Sequence, residues 1–139
     1  MPLDAPVAAR VAALNTKYKH HGATAVMERA LSDADLGQIG LVSSFGAESV
    51  VLLHLVSVMQ RDLPVIFIDT EMLFAETLTY QMDLAERLRL TGVRTIRADR
   101  TQLFERDNEG LLHLHDPDAC CALRKTEPLQ QALSGFDSW

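Results

Sequence analysis

The chain has 139 residues, 47% of them hydrophobic, with a formal net charge of −6, which fits one domain spanning residues 1–139 with a real core. The acidic balance argues against non-specific nucleic-acid binding, which needs a basic surface. No apolar run approaches the roughly 20 residues of a membrane helix, and no basic-then-apolar leader is visible in residues 1–10, so a cytoplasmic location is expected.

In chain order, Val7, Val11, Leu14 and Tyr18 follow a helical period, which His21-Gly22 breaks. Thr24 is placed to cap a second helix carrying Ala25, Val26, Ala30 and Leu31. Residues 32–37 read as a polar turn and residues 39–42 as a short buried strand. A helix is expected over residues 47–60, carrying Val50, Val51, Leu53, His54, Val58 and Met59, with His54 at the edge of the core. Residues 63–68 form a second apolar strand, and residues 74–90 a helix with Leu78, Met82, Leu84, Ala85 and Leu88 inward, stopped by Gly92. Residues 93–96 are a third strand. A short helix follows over residues 102–107 and a loop over 108–116. Pro117 opens a helix through the cysteines, and residues 126–134 continue or restart it. Strands alternating with helices predict an α/β fold with parallel pairing. Its ligands bind outside the strand C-termini. The sheet reads as cut short after its third strand, so a bare edge and self-association are expected.

Residues 41–53 read L-V-S-S-F-G-A-E-S-V-V-L-L: a strand, a turn of small residues, then a helix. Ser43, Ser44, Gly46 and Ser49 offer hydroxyls and N–H groups at a helix N-terminus, where the dipole favours an anion. The spacing matches neither the Walker A loop nor the dinucleotide fingerprint. A phosphate or sulfate site and an ordinary strand-to-helix turn with a serine cap both fit the local pattern. Asp69-Thr70 ends the second strand on the same rim. There a carboxylate can accept from a ribose hydroxyl or position a metal, or simply cap a turn. Glu71 and Glu76 read as first-turn charges that complement the helix dipole.

Cys120 and Cys121 are the only cysteines and are adjacent. Neighbouring cysteines rarely bond to each other, because the required Cβ geometry strains the intervening peptide, so no disulfide framework is expected. Free cysteines are commonly inert core residues, but Arg124 and Lys125 follow this pair closely. Thiolates are soft ligands for zinc or iron–sulfur centres, and nearby cations favour the thiolate. Two thiolates do not complete a four-ligand site. His113 and His115 can join them, although their spacing reads first as a solvated loop. His20 and His21 read as surface residues. Arg97 and Arg100 face either an anion or solvent.

Four ordered stretches resemble the assimilatory sulfonucleotide reductases: V-S-S-F-G-A-E-S at 42–49, P-V-I-F-I-D-T at 64–70, L-F-A-E-T-L at 73–78 and D-A-C-C-A-L-R-K-T-E-P-L at 118–129. The resemblance implies the adenine nucleotide alpha-hydrolase-like (PP-loop) fold. It implies reduction of adenylyl sulfate or phosphoadenylyl sulfate to sulfite, with electrons from thioredoxin or glutaredoxin. Carried over by position, Ser43, Ser44, Phe45, Gly46, Glu48 and Ser49 form the loop near the phosphosulfate. Asp69 and Thr70 lie beside the nucleoside. Cys120 and Cys121 are half the ligand set of a 4Fe-4S cluster, with Lys125 between cluster and substrate. The tandem cysteines favour the adenylyl-sulfate branch. The family's second cysteine pair and its nucleophilic cysteine lie further along the chain and have no counterpart in these 139 residues. The expectation is therefore an N-terminal portion, inactive alone. A PP-loop ATP pyrophosphatase and a non-catalytic nucleotide-binding module are the competing functions.

Overall fold

A computed structural model describes residues 5–139; residues 1–4, where the search for a leader begins, lie outside the described residues. The chain divides into two compact units after Ala34. In the first, helices α1 (Ala5–Tyr18) and α2 (Ala23–Ser32) bury no residue. Thr24 does not cap α2. Gly22 takes the N-cap position with extended backbone and no side-chain bond, and its carbonyl accepts the Val26 N–H at 3.0 Å. The first turn thus closes on backbone alone, and Thr24 falls inside it.

The second unit is built on three parallel strands, β1 (Leu41–Val42), β2 (Val65–Ile68) and β3 (Val93–Ile96), in the order β1-β2-β3. Leu41 pairs with Val65, and Val65 with Val93. Helix α3 (Ser49–Met59) joins β1 to β2 and α4 (Ala75–Arg87) joins β2 to β3, the crossovers that parallel pairing requires. After β3 come α5 (Arg100–Asp107), α6 (Leu112–His115), α7 (Pro117–Cys121), a π-helical turn (Ala122–Thr126) and α8 (Glu127–Leu133). Helix α8 packs against β2 and β3. The chain then returns to the outer side of β1, where Ser138 and Ile39 form a single parallel bridge. The Asp137 carboxylate accepts the Gln38 N–H beside it at 2.8 Å. One bridge is too short to leave a strand pattern in the sequence. Among the described residues no helix is long and apolar enough to cross a membrane.

Phe45, Leu53, Val65 and Phe67 form the buried core, with Leu41, Leu78, Leu84, Ala85, Leu88 and Val93 packed around it. Each fully buried side chain of this kind contributes about 1.5–3 kcal/mol. Strand alternation turns Ile66 to the opposite face, where it is also fully buried.

Three expectations about faces and ends are corrected. In α3 the buried residues are Leu53, Val56 and Ser57, while Val51, His54 and Val58 are exposed. The helix is apolar nearly all round, so periodicity cannot choose its inner face. In α4 Gln81 is buried and Met82 exposed. Gly92 does not end α4: the helix stops at Arg87 and Arg89 takes φ +55°. The Arg89 N–H reaches the Glu86 carbonyl and the Leu90 N–H the Ala85 carbonyl, both at 3.0 Å, a Schellman end. Gly92 has a different reason: a Cβ there would lie 2.4 Å from the Leu63 carbonyl oxygen. A fourth correction concerns the segment read as loop before Pro117, which contains the single helical turn α6.

Candidate functional site

The C-terminal ends of the three strands share one rim. From β1, the chain enters a turn held by its own serines. The Ser43 hydroxyl accepts the Phe45 N–H at 3.1 Å and the Ser44 hydroxyl accepts the Gly46 N–H at 3.4 Å. Phe45 is buried, with φ +57°. The left-handed residue of this turn is therefore Phe45 and not the glycine. A Cβ at Gly46 would meet only the Ser44 hydroxyl, at 3.4 Å, so Gly46 is open to an approaching ligand and is not needed for the turn itself. Helix α3 begins at Ser49, with Glu48 at the N-cap position and no side-chain cap. Ser44, Gly46 and Glu48 are exposed, Ser49 is half-buried and Ser43 is buried. The turn thus presents exposed Ser44 and Gly46 beside a helix start that has no side-chain cap.

At the end of β2, Asp69 is 3% exposed. One carboxylate oxygen accepts the Glu71 N–H at 2.8 Å and the other accepts from Arg97 Nε at 3.0 Å. Thr70 accepts the Met72 N–H on its hydroxyl at 3.3 Å, and Glu71 takes φ +62°. Arg100 pairs with Glu71. Asp69 therefore organises the turn, and Arg97 and Arg100, at the end of β3, are both engaged by its carboxylates. Non-glycine residues in the left-handed region cost of order 1–3 kcal/mol and cluster at functional sites; here two of them, Phe45 and Glu71, flank the same rim.

Between these turns lies a cavity of about 180 Å³. Val42, Phe67, Ile68, Leu73 and Leu129 make its apolar walls, and Ser43, Ser44, Thr70 and Lys125 its polar edge. A second cavity, of about 260 Å³, is lined by Thr70, Met72, His113, Pro117, Cys120, Cys121, Arg124 and Lys125. Thr70 and Lys125 line both. Cys120 is buried and Cys121 exposed. Asp116 caps α7 by accepting the Ala119 N–H at 3.1 Å, with Pro117 in the first turn, where its missing N–H costs nothing. The π turn has a local cause as well. Pro128 lacks an N–H, and its ring would clash with the carbonyl four residues back. The chain widens just before it, with the Glu127 N–H reaching the Ala122 carbonyl. Such widened turns are frequent at functional sites.

Sequence reasoning missed Asp107 and its pairing with Arg124. The Arg124 and Asp107 side chains are 10% and 2% exposed and meet at 2.8 Å, Nη2 to Oδ2. Arg124 Nη1 also donates to the Thr70 carbonyl at 2.9 Å, and the Leu112 N–H donates to Asp107 Oδ1 at 2.9 Å. The Arg124 guanidinium first, then the Leu112 N–H, holds the Asp107 carboxyl below its ordinary value, against the opposing effect of burial. One signal was present: Asp107 is the last residue of a helix, where a carboxylate opposes the dipole and calls for a compensating cation.

Two thiols on consecutive residues, Cys120 and Cys121, amount to half of a four-thiolate donor set. Among the described residues no three His, Cys, Asp or Glu side chains stand together in a group that could hold a metal. His113 borders the same cavity, but it does not complete a site.

The model of a family described as the phosphoadenosine phosphosulfate reductase domain matches residues 38–139. An adenosine 5'-phosphosulfate reductase of Mesorhizobium japonicum is 40% identical over 136 residues, 98% of this chain and 54% of that protein. One from a Chelativorans species is 40% identical over 139 residues, covering 99% and 56%. The chain spans about half the length of these curated relatives. A crystal structure of a phosphoadenylyl-sulfate reductase from Candida auris, in a phosphate complex, superposes with a TM-score of 0.76 over 97% of this chain and 64% of that one. At 19% identity this likeness is one of fold, and it agrees with the PP-loop-like α/β architecture expected from the sequence.

Proposed function

Since the chain belongs to the phosphoadenosine phosphosulfate reductase domain family, we propose that its rim cavity binds the nucleotide of adenylyl sulfate, or of phosphoadenylyl sulfate, for reduction to sulfite. The observation that carries this reading is the pairing of an apolar slot with a polar edge at the strand ends. The slot suits a planar base, and Ser43, Ser44, Thr70 and Lys125 suit the anionic end. The uncapped start of α3 adds a favourable dipole for that anion. Lys125 is the cation that lines both this slot and the cavity of the thiols, so it attracts the phosphosulfate.

Reduction of the sulfo group to sulfite takes two electrons, which thioredoxin or glutaredoxin supplies on this reading. Cys120 and Cys121 would supply two thiolates of a 4Fe-4S cluster, half of its ligand set. As cluster ligands they would not be free to attack sulfur. The chain alone binds nucleotide and releases no sulfite.

Calorimetry with AMP and a sulfite assay with adenylyl sulfate and thioredoxin test the proposal together. Saturable AMP binding at one site, weakened about tenfold by Lys125→Ala (the scale of one lost charge-assisted contact), with no sulfite formed, is the expected result. Absence of AMP binding would remove the nucleotide reading. Sulfite release would show that the chain holds its own nucleophile.

A further inference from the structure

The Asp107–Arg124 pair lies in neither role described so far, yet it joins four segments. Asp107 ends α5, and its Oδ1 holds the Leu112 N–H that starts α6. Its Oδ2 holds Arg124 in the π turn, and Arg124 holds the Thr70 carbonyl. Thr70 belongs to the β2–α4 turn and Arg124 directly precedes Lys125. The two residues that line both cavities, Thr70 and Lys125, are therefore tied together through one guanidinium. Arginine suits this task because its planar fork can serve a carboxylate and a carbonyl at fixed angles, which a lysine ammonium does not reproduce. Both side chains are nearly out of solvent, so salt and water compete little for the pair.

We propose that Asp107 is a positioning residue: acting through Arg124, it fixes the segment from Cys120 to Lys125 against the Thr70 turn. It thereby sets both the burial of Cys120 and the placement of Lys125 on the nucleotide cavity. The second half of this statement rests on the nucleotide reading above; the first half does not.

The test uses the whole chain and three proteins: wild type, Asp107→Asn, and the double variant Asp107→Leu with Arg124→Met. The double variant removes both charges and refills the space, so it leaves no unpaired buried ion to unfold the protein. Alkylation of each cysteine by iodoacetamide is followed by peptide mass spectrometry, alongside hydrogen exchange of the β2 amides and AMP affinity. In wild type, exposed Cys121 reacts at least about tenfold faster than buried Cys120, since reactivity follows access. In both variants Cys120 should accelerate about tenfold and AMP affinity should fall about tenfold as Lys125 is released. In the double variant, which keeps no unpaired buried ion, β2 exchange should stay as in wild type. A residue that merely stabilised the fold would move Cys120 reactivity and β2 exchange together. That parallel change in the double variant overturns the proposal, as does an unchanged Cys120 rate or an unchanged AMP affinity. If wild type binds no AMP, the nucleotide reading falls, and the alkylation ratio still decides whether Asp107 positions the thiols.

Discussion

Phe45 stands edge-on to Phe67, with ring centroids 5.4 Å apart and planes at 80°, while its own backbone is held at φ +57°. The left-handed conformation costs a non-glycine residue roughly 1–2 kcal/mol, and the buried ring offsets it. Removing the ring exposes that cost. Phe45→Ala should lose about 3–5 kcal/mol, as large-to-small core changes do. Phe45→Gly should be about 1 kcal/mol less damaging than Phe45→Ala, reversing the usual order, because glycine adopts this conformation freely. Urea unfolding of the two variants measures the difference. If the alanine variant is the more stable, the strain does not reside at Phe45.

A second left-handed residue offers a gain. Arg89 is exposed and sits at φ +55° in the position after the α4 cap that glycine usually holds. Arg89→Gly should therefore raise stability by about 0.5–1 kcal/mol, seen as a higher urea midpoint at constant slope. A lower midpoint would mean that the Arg89 side chain makes a contact worth more than the backbone strain.

The sequence was most legible where one force dominates. Val65, Ile66 and Phe67 are buried on both faces, so a continuous apolar run marked β2 without ambiguity. Pro117 announced α7 through its fixed backbone angle. Helix α5 was placed two residues late, although Asp99 caps it by accepting the Gln102 N–H at 3.0 Å, a spacing that resembles a capping box. Side-chain partnerships were not legible. Asp69 and Arg97 are 28 positions apart across the α4 crossover, and Asp107 and Arg124 are 17 apart across α6 and α7, so no local period marks either pair. The pattern of the serine-rich turn fits both an anion site and an ordinary turn, and its hydroxyls hold the turn's own N–H groups. The left-handed angle of this turn falls on Phe45, whose buried ring holds it there, and no local pattern marks that position.

Asp69 illustrates how a site residue can act through geometry. Its two oxygens are occupied by the Glu71 N–H and by Arg97, so its first task is to shape the wall that Thr70 presents to the cavity. Asp69→Asn keeps one oxygen for the Glu71 N–H, whereas Asp69→Ala frees that N–H and the turn with it. AMP affinity measured by calorimetry should fall about tenfold for the alanine variant, the scale of one buried hydrogen bond lost. It should fall less than about threefold for the asparagine variant, which loses only charge on a pair whose arginine is half exposed. Equal losses in both would instead assign the carboxylate's charge a direct role in binding.

The buried carboxylate at Asp107 predicts a specific acid response. Arg124 and the Leu112 N–H hold its folded value below that of the free side chain, which is about 3.9. Above that pH the residue is ionised in both folded and unfolded chains, and its full contribution to stability is present. As the pH falls below about 4 the unfolded chain takes up the proton first. Stability then declines with falling pH until the folded carboxyl is itself protonated, below which no contribution remains. Asp107→Asn removes the titration. Urea midpoints measured between about pH 6 and pH 3 should therefore fall more steeply for wild type than for the variant over the acid end of the range only. Above about pH 5 the two curves should run parallel, with wild type the more stable. Parallel curves through the whole range would mean that Arg124 does not hold the Asp107 charge in the folded protein.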